Sequence, residues 1–295
     1  MSKKIICFGE TLWDILPSGA APGGAPMNVA IRSKAFGLDS SVISRVGSDS
    51  LGNELMNFLK KKEVDTSLLQ IDNKLPTGEV NIFIDSKGIA SYDIKYPTAW
   101  DNIQLTEASI EKVKTADAFI FGSLACRGDV SKKTLITLLN HAKFKVFDVN
   151  LRPGFFDIEL IEKLIKISDL VKLNDEEIMI IANQFGSDSN DLFENISFLY
   201  RKFKTRSICV TRGERGAVFF RNSKFYINDG LIVEVADTVG SGDSFLSALI
   251  FKLLSQNNHQ STLNFACAIG TIVATKTGAN PEISINEIDK IIKQF

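Results

Sequence analysis

Short, almost unbroken apolar runs alternate along this chain with longer stretches of helical periodicity, and that alternation restricts what it can fold into. The runs at 4–9 (KIICFG), 41–47 (SVISRVG), 117–122 (DAFIFG), 145–150 (KVFDVN), 170–174 (LVKLN) and 207–213 (SICVTRG) are rich in Val, Ile and Phe. Strands of that composition are apolar on both faces, as parallel strands are when helices cover a sheet from both sides. Between them, residues 51–62, 131–142 and 175–185 carry apolar residues at the spacing of one helix face. The pattern predicts an α/β fold with a doubly wound, mostly parallel sheet flanked by helices. A length of 295 residues suits one large domain, 1–295, with a small appendage.

One region breaks the rhythm. Residues 77–95 (TGEVNIFIDSKGIASYDIK) read as two alternating strands joined at Ser86-Lys87-Gly88, with no helix between them. An antiparallel hairpin inserted in a parallel α/β chain must pack elsewhere. The run LWDIL at 12–16 has similar character, so the expectation is a discontinuous β lid formed by about 11–20 and 77–100. Two helical runs close the chain, the second opened by Ser284 with Glu287 three residues on, a capping-box pattern.

Charge and composition exclude several partners. A formal net charge of −1 provides no field for nucleic acid or anionic lipid. No segment approaches the roughly 18 continuous apolar residues of a membrane span. Four widely spaced cysteines read as buried free thiols, and two histidines without paired spacing argue against zinc. The short apolar run at the N-terminus does not read as a signal peptide, so a cytoplasmic location is expected.

The chemistry concentrates in VEVADTVGSGDSFLSALIFKLL, 233–254. Gly240 and Gly242 let the backbone turn tightly, and the run from Asp243 has helical apolar spacing. Residues 241–244 would then present free N–H groups at the positive end of a helix dipole, an anion site. A carboxylate beside such a site competes with the anion, unless Asp243 merely caps the helix, a role aspartate fills well. No Walker loop occurs, and a dinucleotide fingerprint fails because position 245 is Phe. Near the N-terminus, Gly23 and Gly24 precede Pro26 and Asn28 in a helix start whose amide has the donor and acceptor that sugar hydroxyls require. A plain glycine loop is the alternative there.

Taken in order, these stretches resemble the PfkB family of ribokinase-fold sugar kinases, and within it the fructokinases. Asp237-Thr238-Val239-Gly240-Ser241-Gly242-Asp243 is similar to the family's C-terminal signature, with Ser241 where Ala is commoner. Gly24 to Ala30, followed by Gly47, Asp49 and Gly52, resembles the N-terminal one, and FGSLACR, FDVNLRP, LNDEE and VTRGERGA extend the likeness over nearly the whole chain. The resemblance implies that Asp243 is the catalytic base, with the transferring phosphoryl on the N–H groups of Gly240, Ser241 and Gly242. It implies that Asn174 and Glu177 hold a magnesium–phosphate assembly, often through water, although a capped acidic helix start explains them too. Thr211 and Gly213 would lie near the nucleotide phosphates or ribose, Gly216 opens the next strand, and Asn264 lines the adenine pocket. A simple hairpin turn and helix packing are the alternatives for these four. The loop around Asp237 resembles a potassium site of relatives. For the sugar, the likeness implies Asp14, Gly24 and Asn28, with Arg152, Arg127 and Trp100 nearby. An ion pair for Arg152 and core packing for Trp100 remain open. The expected activity is ATP-dependent, magnesium-requiring transfer to the primary hydroxyl of D-fructose. Kinases of 2-keto-3-deoxygluconate or ribose, and a noncatalytic sugar- or nucleotide-binding relative, are the alternatives. A homodimer through the lid is expected.

Overall fold

The computed structural model describes residues 2–16, 19–84, 90–152 and 154–295, which fall into two compact units. The first, through residue 119 plus 125–142, begins with β1 (Lys4–Phe8), β2 (Leu12–Leu16), β3 (Gly19–Gly23), α1 (Ala25–Ala35), β4 (Asp39–Gly47) and α2 (Ser50–Lys61). It continues with β5 (Leu69–Asp72), β6 (Gly78–Ile84), β7 (Ala90–Ile94), α3 (Glu107–Thr115), the start of β8 (Ala118–Gly122) and α4 (Asp129–Leu139). The second, from 143 onward plus 120–124, holds β9 (Lys145–Asp148), α5 (Ile158–Ile167), β10 (Leu170–Asn174), α6 (Asp175–Gln184), α7 (Leu192–Phe203) and β11 (Ser207–Thr211). β12 (Ala217–Arg221), β13 (Lys224–Asn228), α8 (Ser241–Leu254), α9 (His259–Ala274) and α10 (Ile285–Ile292) complete it.

The architecture is a large, mostly parallel sheet flanked by helices, with a small separate sheet. In the first unit β4 lies between β1 and β5, parallel to both. In the second, β9, β10 and β11 run parallel, and β12 and β13 add an antiparallel edge. The strand expected over 207–213 ends at Thr211 because a one-turn 3₁₀ segment, Gly213–Arg215, starts there with Gly213 at φ +57°. Aromatic rings fill the interior on both sides of β8. Phe8 meets Phe119 at 6.2 Å in the first unit, and Phe121 stacks on Phe147 at 5.2 Å in the second. All four rings are almost wholly buried, each withdrawing apolar surface worth about 2–3 kcal/mol from water. The four cysteines are free and buried, and among the described residues no helix is long and apolar enough to cross a membrane.

The small sheet has the order β3-β2-β6-β7, so LWDIL does pair with the hairpin strands. β2 is antiparallel to β3 and parallel to β6, and β6 is antiparallel to β7. The Ser86-Lys87-Gly88 link lies outside the described residues.

The Gly47, Asp49 and Gly52 element forms the knot that leads into this sheet. Asp49 is the N-cap of α2: its Oδ1 accepts from the Gly52 N–H (2.8 Å) and from Thr77 Oγ1 (2.6 Å), and its Oδ2 accepts from the Thr77 N–H (2.8 Å). Both glycines are sterically required. A Cβ at Gly47 would lie 2.4 Å from Asp49 Oδ2, and one at Gly52 would lie 2.2 Å from the Gly47 carbonyl oxygen. Partial burial works against the Asp49 charge, but the hydrogen bonds from Thr77 and Gly52 outweigh it and lower its pKa. A lowered folded-state pKa gives stability that is complete above the unfolded carboxylate value, about 4, and fades as pH falls below it. Asp49→Ala should cost about 1–2 kcal/mol at pH 7, and its deficit against the parent should shrink in acid-side urea titrations.

Candidate active site

Residues 236–243 turn into α8 under several restraints. The N–H groups of Ala236 and Asp237 both donate to the Ala274 carbonyl at the end of α9 (2.9 and 3.3 Å). Asp237 Oδ1 accepts from the Val239 N–H and Oδ2 from the Gly278 N–H, both at 3.0 Å, tying the turn to the loop after α9. Gly240 is the N-cap of α8 at φ +73°. No side chain is tolerated there, since a Cβ would sit 2.4 Å from the Ala279 carbonyl oxygen.

The helix therefore starts on a glycine with no side-chain cap, and Asp243, half-buried, is its third residue rather than its cap. First-turn N–H groups lack intrahelical acceptors and sit at the positive end of the dipole. Ser241 is a partial exception. Its N–H donates to the Thr238 carbonyl (3.2 Å), and its hydroxyl donates to the Gly270 carbonyl on α9 (3.0 Å). The serine that departs from the family pattern thus ties α8 to α9.

A cavity of about 390 Å³ opens beside this turn, a volume suited to a small organic ligand. Ser241, Gly242 and Thr238 line it together with Asn174 at the end of β10 and with Thr211, Gly213 and Gly216 from the β11–β12 connection. Leu231, Val233 and Val235 give it an apolar side. Gly216 is needed for close backbone approach: a Cβ on it would lie 2.2 Å from the Asn228 carbonyl oxygen. Asn264 is absent from the lining. It lies half-buried on α9, and its Oδ1 accepts from Asn228 Nδ2 (3.1 Å) and Gln260 Nε2 (2.9 Å). Asn264 thus links β13 to α9.

Below the turn lies a buried charge cluster that the sequence analysis passed over. Lys172 on β10 stands in register with Asp148 on β9 and pairs with its Oδ1 at 3.0 Å. Burial opposes the ammonium charge, but Asp148, Glu177 and Asp243 together outweigh it and hold Lys172 above the usual lysine range. The available signal was a lysine inside the apolar run LVKLN and an aspartate inside KVFDVN. Nothing in either run shows that the two strands are adjacent.

Glu177 accepts from the Asn174 N–H through Oε2 and from the Leu151 N–H through Oε1, both 2.8 Å, while Asn174 Oδ1 accepts from the Glu177 N–H (2.8 Å). The capped helix start is thus present. Burial raises the Glu177 pKa, with Lys172 opposing. Of the two metal candidates, Glu177 and Asp237, each has both carboxylate oxygens engaged by main-chain N–H groups. Among the described residues no group of three or more His, Cys, Asp or Glu side chains forms a metal cage. Arg152, half-buried, lies in the loop after β9, where its carbonyl accepts from the Phe155 N–H (3.0 Å).

In the first unit, Asp14 on β2 lies over Gly23: a Cβ there would be 2.1 Å from Asp14 Oδ2. Gly24, at φ +112°, is the N-cap of α1, and its carbonyl accepts from the N–H of buried Asn28 (2.9 Å). Asp14, Gly24 and Asn28 therefore belong to one corner.

Arg127 and Trp100 do not present a ligand surface. The Arg127 guanidinium bonds both Asp101 oxygens (2.7 and 2.9 Å) and the carbonyls of Ile94 and Lys95, and it lies 3.9 Å over the Trp100 ring. Trp100 has no exposed surface, and the Arg127 side chain is 4% exposed. Burial requires the guanidinium to be paired, and the carboxylate and carbonyls at the end of β7 supply those partners. The core-packing alternative holds for Trp100.

A cavity beside an uncapped helix N-terminus in an α/β fold is an arrangement suited to binding an anionic ligand. The model of the pfkB family of carbohydrate kinases matches residues 18–286, and the chain belongs to that family of enzymes. It is similar to the fructokinase of Salmonella typhimurium, 26% identical over 299 residues and covering 95% of each chain. Its structure superposes on fructokinase with bound ATP from Xylella fastidiosa at a TM-score of 0.85 and 23% identity, covering 100% and 99% of the two chains. It superposes on 2-dehydro-3-deoxygluconokinase from Thermotoga maritima at 0.86 and 21% identity, covering 99% of each.

Because the Ala279 carbonyl fills the space at residue 240, Gly240→Ala should displace the turn. Isothermal titration should show ADP binding weakened at least tenfold, about 1.4 kcal/mol, while circular dichroism stays that of the parent.

Proposed function

We propose that this carbohydrate kinase transfers the γ-phosphoryl of ATP to the primary hydroxyl of D-fructose, giving fructose 6-phosphate. The observation that carries the reading is Asp243 in the first turn of α8, directly after the uncapped glycine turn whose residues line the cavity. A carboxylate there can take the hydroxyl proton as the oxygen–phosphorus bond forms and the bond to ADP breaks. First-turn amides of α8, led by that of Gly242 because the Ser241 N–H is shared with the Thr238 carbonyl, would stabilise the charge gathering on the transferring group. Thr211, Gly213 and Gly216 would receive the nucleotide, and the apolar side of the cavity its base. Asp14 and Asn28 would hold hydroxyls of the sugar, whose recognition favours a charged acceptor and an amide.

Magnesium fits as an ion that arrives on the nucleotide and keeps most of its waters. Asp148 Oδ2 is buried without a hydrogen-bond partner, and with Glu177 and Asn174 it offers oxygens to such waters. Bound there, the ion would offset phosphate charge. Potassium near Asp237, a cytoplasmic location and a homodimer through the small sheet complete the proposal. The likeness to the Thermotoga maritima enzyme favours 2-keto-3-deoxygluconate as the second reading for the acceptor.

An ADP-release assay across fructose, ribose and 2-keto-3-deoxygluconate tests the acceptor, and turnover greatest with fructose is expected. Asp243→Asn should lower kcat by about 10²–10⁴-fold and leave ADP affinity within a few-fold. An unchanged kcat would remove Asp243 from the chemistry. Light scattering should give twice the monomer mass, and monomer at high concentration would reject the dimer.

A further inference from the structure

The buried ammonium of Lys172 has no place in the mechanism above, yet it lies against the turn that mechanism uses. A Cβ on Gly242 would stand 3.5 Å from Lys172 Nζ, so no side chain separates the ammonium from the amide turn. Its register partner Asp148 fixes it from the other side at 3.0 Å. We propose that Lys172 is a positioning residue for phosphoryl transfer: clamped on Asp148 and lying against Gly242, its ammonium sets the placement of the 240–242 turn and of the Asp243 carboxylate.

Three observations support this. First, stability alone does not account for the residue. Burying an ion pair is costly, and apolar side chains of similar volume often serve a fold as well or better. Second, the cation serves more than its hydrogen-bonded partner. Asp148, Glu177 and Asp243, brought from β9, α6 and α8, all act on it electrostatically. Carboxylates brought together in a poorly solvated region repel one another, and an ammonium placed among them offsets that repulsion. Third, the turn has no capping side chain, so its placement depends on what lies behind it. Asp237, the Ala279 carbonyl and the Ser241 hydroxyl bonded to Gly270 hold the turn elsewhere, and Lys172 is what lies against it at Gly242.

The kinetic part of the test rests on the carbohydrate-kinase reading; the exchange part does not. Lys172→Met keeps the length of the side chain and removes its charge, and Lys172→Arg keeps the charge. With fructose, Lys172→Met should lower kcat by about 10²-fold, comparable to losing one oxyanion donor, with the sugar KM within about threefold of the parent. Lys172→Arg should recover part of that loss. Hydrogen exchange, read by mass spectrometry in the parent and both variants, should show faster exchange of the hydrogen-bonded Ser241 and Ser244 amides in Lys172→Met only. If Lys172→Met has parental kcat, or loses activity wholly through KM, the inference is overturned. If the parent transfers phosphoryl to no sugar, the functional reading fails instead, and the exchange comparison still decides the role of Lys172. Parental exchange at Ser241 and Ser244 in Lys172→Met would then refute it. Should Lys172→Met fold poorly, the arginine variant decides, since parental exchange with kcat above that of Lys172→Met is expected and loosened amides would refute the role.

Discussion

At Gly240 the backbone takes φ +73° because the Ala279 carbonyl occupies the space a side chain would need, and α8 begins there without a cap. Several contacts of the second unit converge on that turn. Asp237 bridges it to Gly278, Ser241 ties it to Gly270 on α9, and Gly242 keeps its inner face open to Lys172. Unmet first-turn amides would destabilise an ordinary helix. In the phosphoryl transfer proposed for this protein they would be the working surface, and Gly240 has no room for a side chain that would cap them.

Electrostatics in this half follow from limited access to water. Asp148, Lys172 and Glu177 are each buried, so their charges act on one another with little solvent screening. Lys172 keeps its proton because the surrounding carboxylates outweigh the cost of burial. Glu177 is pushed the other way by that cost, while its oxygens stay satisfied by the N–H groups of Leu151 and Asn174. The result is a group of charges in fixed positions before any ligand binds, the arrangement that makes electrostatic catalysis effective.

The first unit uses the same devices for a different end. Asp49 holds the start of α2 against Thr77 at the entrance to β6, and Arg127 binds the end of β7 to Asp101 while covering Trp100. These are polar struts under a small sheet that has too little apolar interior to hold itself. Gly23 is vacant of side chain because the Asp14 carboxylate stands over it. Motif glycines and aspartates here belong together in pairs, and each glycine marks where its neighbour's oxygen must go.

Residue order by itself determined the α/β class, the intruding hairpin, the capping box at Ser284 and a glycine turn leading into a helix at Asp243, because local periodicity and local φ preferences depend on residues only a few positions apart. Of the five residues that the family likeness assigns to the nucleotide, Thr211, Gly213, Gly216 and Asn174 line the cavity and Asn264 does not. Only tertiary structure decided which charged and aromatic residues face a ligand and which are struts. Arg127, Trp100 and Asn264 resemble ligand contacts in one dimension and serve packing or hydrogen bonding in three. Lys172 looks like an interruption in an apolar strand until the register of β9 and β10 sets it on Asp148 and the fold brings α8 over it. The physical reason is that charge pairing depends on distance in space, and strand order and register set that distance across long stretches of chain that no local pattern encodes.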